Sequence, residues 1–146
     1  MKINDIMTAN PMCVTSDATI REAAQVMKRE DVGIVPVIEN QGDRRLIGVV
    51  TDRDIAIRCV AEGKDSNCRV RDAMSHDLAT CTPNDDVDDA MQTMSREKVR
   101  RIPIVDERGS LVGIVSQADL LRRGRDDSAA AQTVERISEP GGRHNQ

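Results

Sequence analysis

The sequence contains no phenylalanine, tyrosine or tryptophan. Proteins that hold single-stranded nucleic acid stack the bases on aromatic side chains, so this absence excludes such a platform. The formal net charge of −4 at pH 7 argues against a dedicated nucleic-acid binder, which needs a basic surface to neutralise phosphates. We therefore predict no nucleic-acid partner, and any bound base must be held by aliphatic side chains and the backbone.

Long apolar runs are also missing. No run approaches the length of a membrane span, and the first ten residues, MKINDIMTAN, lack the apolar region of a secretory signal. These features predict a cytoplasmic protein with no membrane partner. The 146 residues suffice for one compact domain, or for two half-domains that share a core.

Residues that bind metals or perform catalysis are few and scattered. The four cysteines, Cys13, Cys59, Cys68 and Cys81, form no C-x-x-C pair, and neither histidine has a partner at ligand spacing, so we predict no metal site. Reduced thiols are the main interpretation of the cysteines, and a disulfide or redox-sensitive pair is the alternative. Catalytic triads, phosphate-binding glycine loops and H-E-x-x-H are absent from the sequence, which predicts no enzyme, no catalytic residue and no catalytic cofactor.

An internal repeat is the strongest pattern that the sequence does contain. NDIM at 4–7 returns as RDAM at 71–74, and TIREAAQVMKREDVGIVPVIE at 19–39 returns as DVDDAMQTMSREKVRRIPIVD at 86–106. LIGVVTDRDI at 46–55 then returns as LVGIVSQADL at 111–120. The offset is 67 residues in the first two blocks and 65 in the third, and the difference falls in a polar turn, where insertions belong.

Each half reads as helix, strand, strand, helix. Thr19 with Glu22 forms a capping box before one apolar helical face, and Asp86 is the corresponding cap in the second half. Two β-branched runs separated by a turn with glycine follow each helix. Pro36 and Pro103 cannot donate to a ladder, so their strands should lie at an edge or carry a bulge. The closing helix of the first half should run to about residue 62.

Gly48-Val49-Val50-Thr51-Asp52-Arg53-Asp54 and Gly113-Ile114-Val115-Ser116-Gln117-Ala118-Asp119 each follow the pattern G-h-h-[ST]-x-x-[DN], where h is apolar. With the proline-containing strand and the amphipathic helix, this pattern resembles the CBS-domain family over residues 1 to about 123. The resemblance implies an α/β (α+β) fold of two β-α-β-β-α CBS repeats, packed sheet to sheet about a pseudo-two-fold axis as in stand-alone bacterial CBS pairs. It implies repeats at 1–62 and 71–123, a linker at 63–70 and a polar tail at 124–146, largely disordered.

The resemblance also implies an adenine nucleotide as regulatory ligand: AMP, ADP or ATP, or else NAD(H) or S-adenosylmethionine. Asp54 and Asp119 match the family's ribose contact, although both could simply cap their helices. Thr51 and Ser116 match its phosphate contact or are ordinary caps. The positions that match the adenine slot are Val14, Thr15, Ile34 and Pro36 in the first repeat, and Cys81, Thr82, Ile102 and Pro103 in the second.

The cations for phosphate differ between the repeats. Arg100 and Arg101 precede the second proline-containing strand, whereas the first repeat has Gly33 and Ile34 there. Arg53 is a further candidate. We therefore expect the two clefts to differ, with the tighter phosphate contacts at Arg100 or Arg101.

The resemblance implies an energy-sensing module that acts on a partner protein and associates as a homodimer. The alternative is a ligand-independent interaction or stress-response module whose clefts have lost the nucleotide. The sequence alone does not separate the two.

Overall fold

The structure of the chain, a computed structural model, describes residues 1–124. Short strands β1 (Thr8–Ala9) and β2 (Val14–Thr15) precede helix α1 (Ile20–Glu30) and strands β3 (Ile34–Ile38) and β4 (Leu46–Thr51). Helix α2 (Asp52–Ile55) continues as a π-helical stretch, Ala56–Val60. Helix α3 (Val87–Glu97), strands β5 (Arg101–Val105) and β6 (Leu111–Ser116) and helix α4 (Gln117–Gly124) follow. Two 3-10 turns lie at Ile3–Asp5 and Val70–Asp72.

The chain divides into two compact units. Within the described chain, the first-repeat unit consists of Met12–Leu78, and the second-repeat unit combines Met1–Pro11 with residues 79–124. Each unit has its own three-stranded sheet, in the order β2-β3-β4 or β1-β6-β5, and its own apolar core. The mixed α/β class with two sheets, predicted from the repeat, is confirmed.

The segments that precede the repeats are exchanged between the two units. Thr8 and Ala9 of β1 pair with β6 of the second repeat, and Ser75, in the corresponding segment before the second repeat, bridges Val49 of β4. Sequence reasoning placed each segment with the repeat that follows it, and it had no signal for this exchange. The predicted boundaries, 1–62, 63–70 and 71–123, describe the duplication in the sequence and stay a prediction.

The glycine that begins each G-h-h-[ST]-x-x-[DN] pattern permits the approach of these segments. A Cβ atom on Gly48 would lie 2.5 Å from the carbonyl oxygen of Ser75, and one on Gly113 would lie 3.1 Å from that of Thr8. Cβ atoms seldom come so close to backbone, so both positions need the space that glycine leaves.

The predicted helix starts are confirmed. The backbone N–H of Glu22 donates to Thr19 Oγ1 at 3.1 Å and that of Thr19 donates to Glu22 Oε2 at 3.3 Å, which is the reciprocal capping box. In α3 the N-cap is Asp86, whose backbone N–H donates to Asp89 Oδ2 at 3.1 Å. Both helices end at a residue in the left-handed conformation, Asp31 or Lys98.

The two prolines lie in similar surroundings. β3 is the middle strand of its sheet, and β5 is the last strand in the order β1-β6-β5, but Cys81 forms a parallel bridge with Ile104 of β5. Pro36 is tolerated in β3 because the two-residue β2 pairs only with Val37 and Ile38, which leaves Pro36 a strand neighbour on one side. The register irregularity expected near each proline falls one or two residues later, at Val37/Ile38 and Ile104/Val105.

The closing helix of the first repeat ends near the predicted place. Its π-helical stretch ends at Val60, and Gly63 adopts a φ of 76° three residues later. The predicted polar tail lies, beyond Gly124, outside the described residues. Within residues 1–124, none of the helices has the length and apolar composition that crossing a membrane requires.

Candidate functional site

The first candidate site lies at the junction of β4 and α2, where Thr51 and Asp54 form a reciprocal pair. The backbone N–H of Asp54 donates to Thr51 Oγ1 at 3.0 Å, and the backbone N–H of Thr51 donates to Asp54 Oδ2 at 3.0 Å. Both residues are buried. This capping role uses one carboxylate oxygen, and within the described chain Oδ1 of Asp54 has no protein partner.

The second site repeats this geometry at the junction of β6 and α4. The backbone N–H of Asp119 donates to Ser116 Oγ at 3.2 Å, and that of Ser116 donates to Asp119 Oδ2 at 2.9 Å. Asp119 is buried like Asp54, but its Oδ1 accepts a hydrogen bond from the exposed guanidinium of Arg122. The two carboxylates therefore share one role at the helix start and differ in what their second oxygen contacts.

Both sites include a backbone hydrogen bond from the helix start to the residue before the proline-containing strand. The N–H of Asp52 donates to the carbonyl of Gly33 at 2.9 Å, and the N–H of Gln117 donates to that of Arg100 at 2.8 Å. The same backbone positions thus carry Gly33 and the carboxylate of Asp52 in the first unit. In the second unit they carry the guanidinium of Arg100 and the amide of Gln117.

The side chains of Arg100 and Gln117 carry buried polar atoms with no hydrogen-bond partner among the described residues, Nε of Arg100 and Oε1 of Gln117. Buried polar atoms normally form hydrogen bonds, so these two atoms are available to bind water or a polar ligand. Arg101 lies at the start of β5 directly opposite Ser116 of β6. Arg53 is exposed on the first turn of α2.

In the first unit the predicted adenine-slot residues lie on the neighbouring strands β2 and β3, but their side chains lie on opposite faces of the sheet. Thr15 pairs with Ile38 in the parallel β2–β3 ladder, and alternation along β3 puts Ile34, Pro36 and Ile38 on one face of the sheet. Ile34 is paired with Thr51, which extends this face to the first candidate site. Val14 instead belongs to the apolar core beneath α1, so only its backbone can serve the slot.

In the second unit two of the predicted slot residues lie in the apolar core. Ile102 is fully buried in the core beneath α3, because strand alternation turns it away from Pro103. Its counterpart in the first repeat is Val35, and the counterpart of Ile34 is Arg101. The repeat register therefore aligns Arg101, and not Ile102, with Ile34, and the slot role of Ile102 stays a prediction. Cys81 is also in the core, and Thr82 is exposed.

Sequence reasoning did not assign Gln117 or Arg122 to the site. Gln117 aligns with Asp52 in the repeat, and this alignment could have identified Gln117 as a site residue. Arg122 follows Asp119 by three residues, the spacing at which side chains meet along a helix.

The cysteines are unpaired thiols in this structure. Burial raises the pKa of Cys13 and of Cys81 above the usual value for a thiol. Within residues 1–124, no three or more histidine, cysteine, aspartate or glutamate side chains come together in a group that could hold a metal ion.

Sequence comparisons identify the same pattern in known proteins. The profile of the CBS domain family matches residues 3–60 and 70–126. The CBS domain-containing protein YhcV of Bacillus subtilis is 41% identical over 136 residues, which cover 93% of this chain and 94% of that protein. Hypoxic response protein 1 of Mycobacterium tuberculosis is 36% identical over 137 residues, or 93% of each chain.

Solved structures agree with the sequence comparisons. The crystal structure of Hypoxic Response Protein I with two coordinated zinc ions has a TM-score of 0.75 and 35% identity, and the match covers 84% of this chain and 98% of that one. The structure of CBSX2 in complex with AMP also has a TM-score of 0.75, with 25% identity and coverage of 87% and 98%. With both repeats matched by the family profile and by relatives of nearly equal length, this chain belongs to the CBS-domain family as a tandem CBS pair.

Proposed function

We propose that this chain is a non-catalytic regulatory module that binds an adenine nucleotide, with AMP, ADP or ATP as the leading ligands. The observation that carries the proposal is the repeated pair of buried carboxylates, Asp54 and Asp119, each placed by a Thr or Ser capping box at a strand-to-helix junction. An AMP complex of a similar CBS protein supports the ligand class.

A ribose suits these carboxylates. Ionised aspartate is an acceptor-only group with about four lone-pair sites, and the 2′- and 3′-hydroxyls of a ribose are donors. The capping bond holds Oδ2 of Asp54 in place and leaves Oδ1 for a sugar hydroxyl. Such a preset acceptor loses little side-chain freedom when it binds.

Phosphate suits the second unit better than the first. Arg100 and Arg101 bring two guanidinium groups to the junction that carries Ser116, and Arg122 adds a third next to Asp119. Guanidinium groups bind phosphate with paired, charge-assisted hydrogen bonds. We therefore assign the tighter phosphate contacts to the second-repeat unit, through Arg100 or Arg101, with Thr51 and Arg53 as the weaker set in the first.

The base fits an aliphatic slot. Ile34 and Pro36 are buried on the face of β3 that leads to Thr51, and Pro103 has the same place on β5. Such a slot recognises the flat faces of adenine by contact area rather than by aromatic stacking. It accepts adenosine compounds in general, which keeps NAD(H) and S-adenosylmethionine as candidate ligands.

Regulation requires that the ligand bind one arrangement of the protein more tightly than another. We propose that the module does this as a cytoplasmic homodimer in energy sensing, and that a partner protein reads the change.

A second candidate function is a ligand-independent stress-response module. The name of Hypoxic response protein 1, 36% identical over 93% of both chains, favours it. In that case Asp54 and Asp119 serve only as caps, and their second oxygens need no ligand.

Calorimetric titration with AMP separates the two functions. The variant is Asp54→Asn/Asp119→Asn, because asparagine keeps a carbonyl oxygen for the capping bond but puts an amide in place of the second acceptor. Asp89→Asn is the matched control, since Asp89 accepts the same capping bond at the start of α3, away from both sites.

The proposal predicts saturable AMP binding by the wild-type protein and by Asp89→Asn, and a loss of at least 100-fold in the double variant. A hydrogen bond to a charged group contributes about 1.5–3 kcal/mol, so two of them account for that factor. Equal AMP affinity in all three proteins, or no binding to a wild-type protein freed of co-purified nucleotide, contradicts the sensor function and favours the stress-response module.

A further inference from the structure

Two cysteine sulfurs lie close together in the first-repeat unit, and neither belongs to the candidate ligand site. Sγ of Cys59 and Sγ of Cys68 are 3.5 Å apart, although nine residues separate them in the chain. Cys59 is fully buried in the π-helical stretch after α2, and Cys68 is half-buried where the chain returns toward the 3-10 turn at Val70–Asp72. One thiol is thus sheltered and the other is within reach of solvent.

The backbone around both cysteines is held by hydrogen bonds. The carbonyl of Cys59 accepts from the N–H of Lys64 at 2.9 Å, and the carbonyl of Cys68 accepts from the N–H of Ile20 at 2.8 Å. The guanidinium of Arg58 donates to the carbonyls of Ala73 and Met74 at 3.0 and 2.9 Å, which ties the helix to the segment that follows Cys68. The closeness of the sulfurs is therefore built into the framework of the unit.

We propose that Cys59 and Cys68 form a reversible disulfide that fastens the closing helix of the first repeat to the segment before the second. A disulfide requires the sulfurs to approach to about 2.05 Å, which is about 1.5 Å closer than they are here. The bond closes the exposed loop 60–67, which connects the two cysteines along the chain.

The oxidant is a low-molecular-weight disulfide of the glutathione type. The Cys68 thiol, whose Sγ donates to Asp72 Oδ2 at 3.7 Å, loses its proton to solvent. The resulting thiolate attacks one sulfur of the oxidant, and the other sulfur leaves as a thiolate. The Cys59 thiolate then attacks Sγ of Cys68, the second small thiolate leaves, and both leaving groups take up protons. Two protein thiols are oxidised and one external disulfide is reduced to two thiols.

The second step is the slow one. Burial, the hydrogen bond with Cys68 and the charges of Cys68 and Asp72 raise the pKa of Cys59 to about 11, against a smaller opposing effect of Lys64. Because the thiolate is the nucleophile, ring closure accelerates about tenfold for each unit by which the pH rises toward that value. A mixed disulfide on Cys68 consequently precedes the closed bond.

The second-repeat unit has no equivalent pair. The repeat offset of 65 residues places Gly124 at the position of Cys59. The disulfide therefore acts on one unit alone, on the helix whose first turn carries Asp54. This proposal does not depend on nucleotide binding.

The test is oxidation of the folded full-length protein with glutathione disulfide at pH 8.5, an acid quench, and alkylation of the remaining thiols in denaturant. We expect intact mass to show the loss of two alkylatable thiols, peptide mapping to show a Cys59–Cys68 link, and dithiothreitol to reverse both. The melting temperature should rise by roughly 5 °C, because the bond restricts the unfolded chain.

Cys13→Ser is the matched control, since Cys13 is also half-buried but has no sulfur neighbour among the described residues. It should oxidise like the wild type, whereas Cys68→Ser should form no link. A stable glutathione adduct on Cys68 without closure, a link between other cysteines, or four free thiols after oxidation would overturn the proposal. The wild-type peptide map decides among these outcomes even if Cys68→Ser fails to fold.

Discussion

The two units of this protein share a backbone design but differ in the chemistry placed on it. Ile34 pairs with Thr51 as Arg101 pairs with Ser116, and both Thr51 and Ser116 form the same capping box with an aspartate three residues on. The groups next to these boxes are not the same. The repeated residues therefore shape the backbone of each junction, whereas the residues beside the capping boxes differ between the units.

The difference is mainly one of charge. Gly33 and Asp52 flank the first junction, and Arg100 and Gln117 flank the second. Asp54 keeps an oxygen without a protein partner in the described chain, whereas Asp119 shares that oxygen with Arg122. The first unit thus offers an acceptor and little positive charge, and the second offers an acceptor surrounded by cations.

The largest expected difference between the units is in the free energy of unfolding when the glycine of each junction is changed to alanine. A Cβ on either glycine would lie 2.4 Å from a methionine side chain, Met74 or Met7. The backbone is closer at Gly48, where the Ser75 carbonyl oxygen would be at 2.5 Å, against 3.1 Å for the Thr8 carbonyl oxygen at Gly113. Gly48→Ala should therefore lower the free energy of unfolding by about 3 kcal/mol, and Gly113→Ala by about 1 kcal/mol. Urea denaturation of both variants measures the two values.

Met7→Ala provides the control, because it removes the side chain that Gly113→Ala would displace. The double variant Met7→Ala/Gly113→Ala should cost less than the sum of the single changes. Equal losses for Gly48→Ala and Gly113→Ala would contradict this difference, because they would show that the exchanged segments pack alike in the two units.

The next largest expected effect is on AMP affinity, when the guanidinium of Arg100 is removed. Arg100→Ala should weaken AMP binding about tenfold, because one charge-assisted bond to phosphate is lost, and it should leave adenosine binding unchanged. Calorimetric titration with AMP and with adenosine measures both. Arg53→Ala is the matched control on the first unit, where we expect a smaller loss for AMP.

A parallel loss for AMP and adenosine in Arg100→Ala would place this side chain at the sugar or the base. Stronger dependence of AMP binding on Arg53 than on Arg100 would reverse the assignment of the phosphate site between the units.

The exposed ion pair at the start of α3 gives the smallest effect. Lys2 Nζ lies 3.0 Å from Asp86 Oδ1, which lowers the pKa of Asp86 and raises the pKa of Lys2. The stabilisation is present above the unfolded pKa of Asp86 and disappears as the pH falls through its lowered folded value. At the alkaline end it disappears as the pH rises through the raised value of Lys2.

Lys2→Ala should therefore lower the melting temperature slightly at pH 7 and low salt, and not at all in 1 M NaCl or at a pH below the lowered pKa of Asp86. Thermal melts at two salt concentrations check this result. A loss that persists in high salt would mean that the Lys2 side chain stabilises the second-repeat unit by packing rather than by charge.

Much of the fold could be predicted because its signals are local. The capping box of Thr19 with Glu22, the apolar helix faces and the β-branched runs each depend on residues within one element. The exchange of the leading segments could not be predicted, because NDIM and RDAM contain nothing that specifies which sheet they join. Only the glycines at 48 and 113 hint at a close neighbour, and they do not identify it.

The candidate site was predictable where it coincides with the repeat. Thr51, Asp54, Ser116 and Asp119 follow from aligning the halves, and the structure brings each pair together. Ile102 is buried in the core of its unit, and its place in the slot stays a prediction; strand alternation puts Arg101 and Pro103 on the opposite face of β5. The unpaired atoms of Arg100 and Gln117 emerge only from three-dimensional packing.

We propose that each unit binds the ligand with a carboxylate, and that the second unit adds Arg100 and Arg101 for phosphate where the first has only Arg53. The most direct test is to titrate AMP into Asp54→Asn and Asp119→Asn side by side in a calorimeter, with Asp89→Asn as the reference. The account predicts a loss of about 10- to 100-fold for Asp119→Asn and a smaller loss for Asp54→Asn. Wild-type affinity in Asp119→Asn would contradict it.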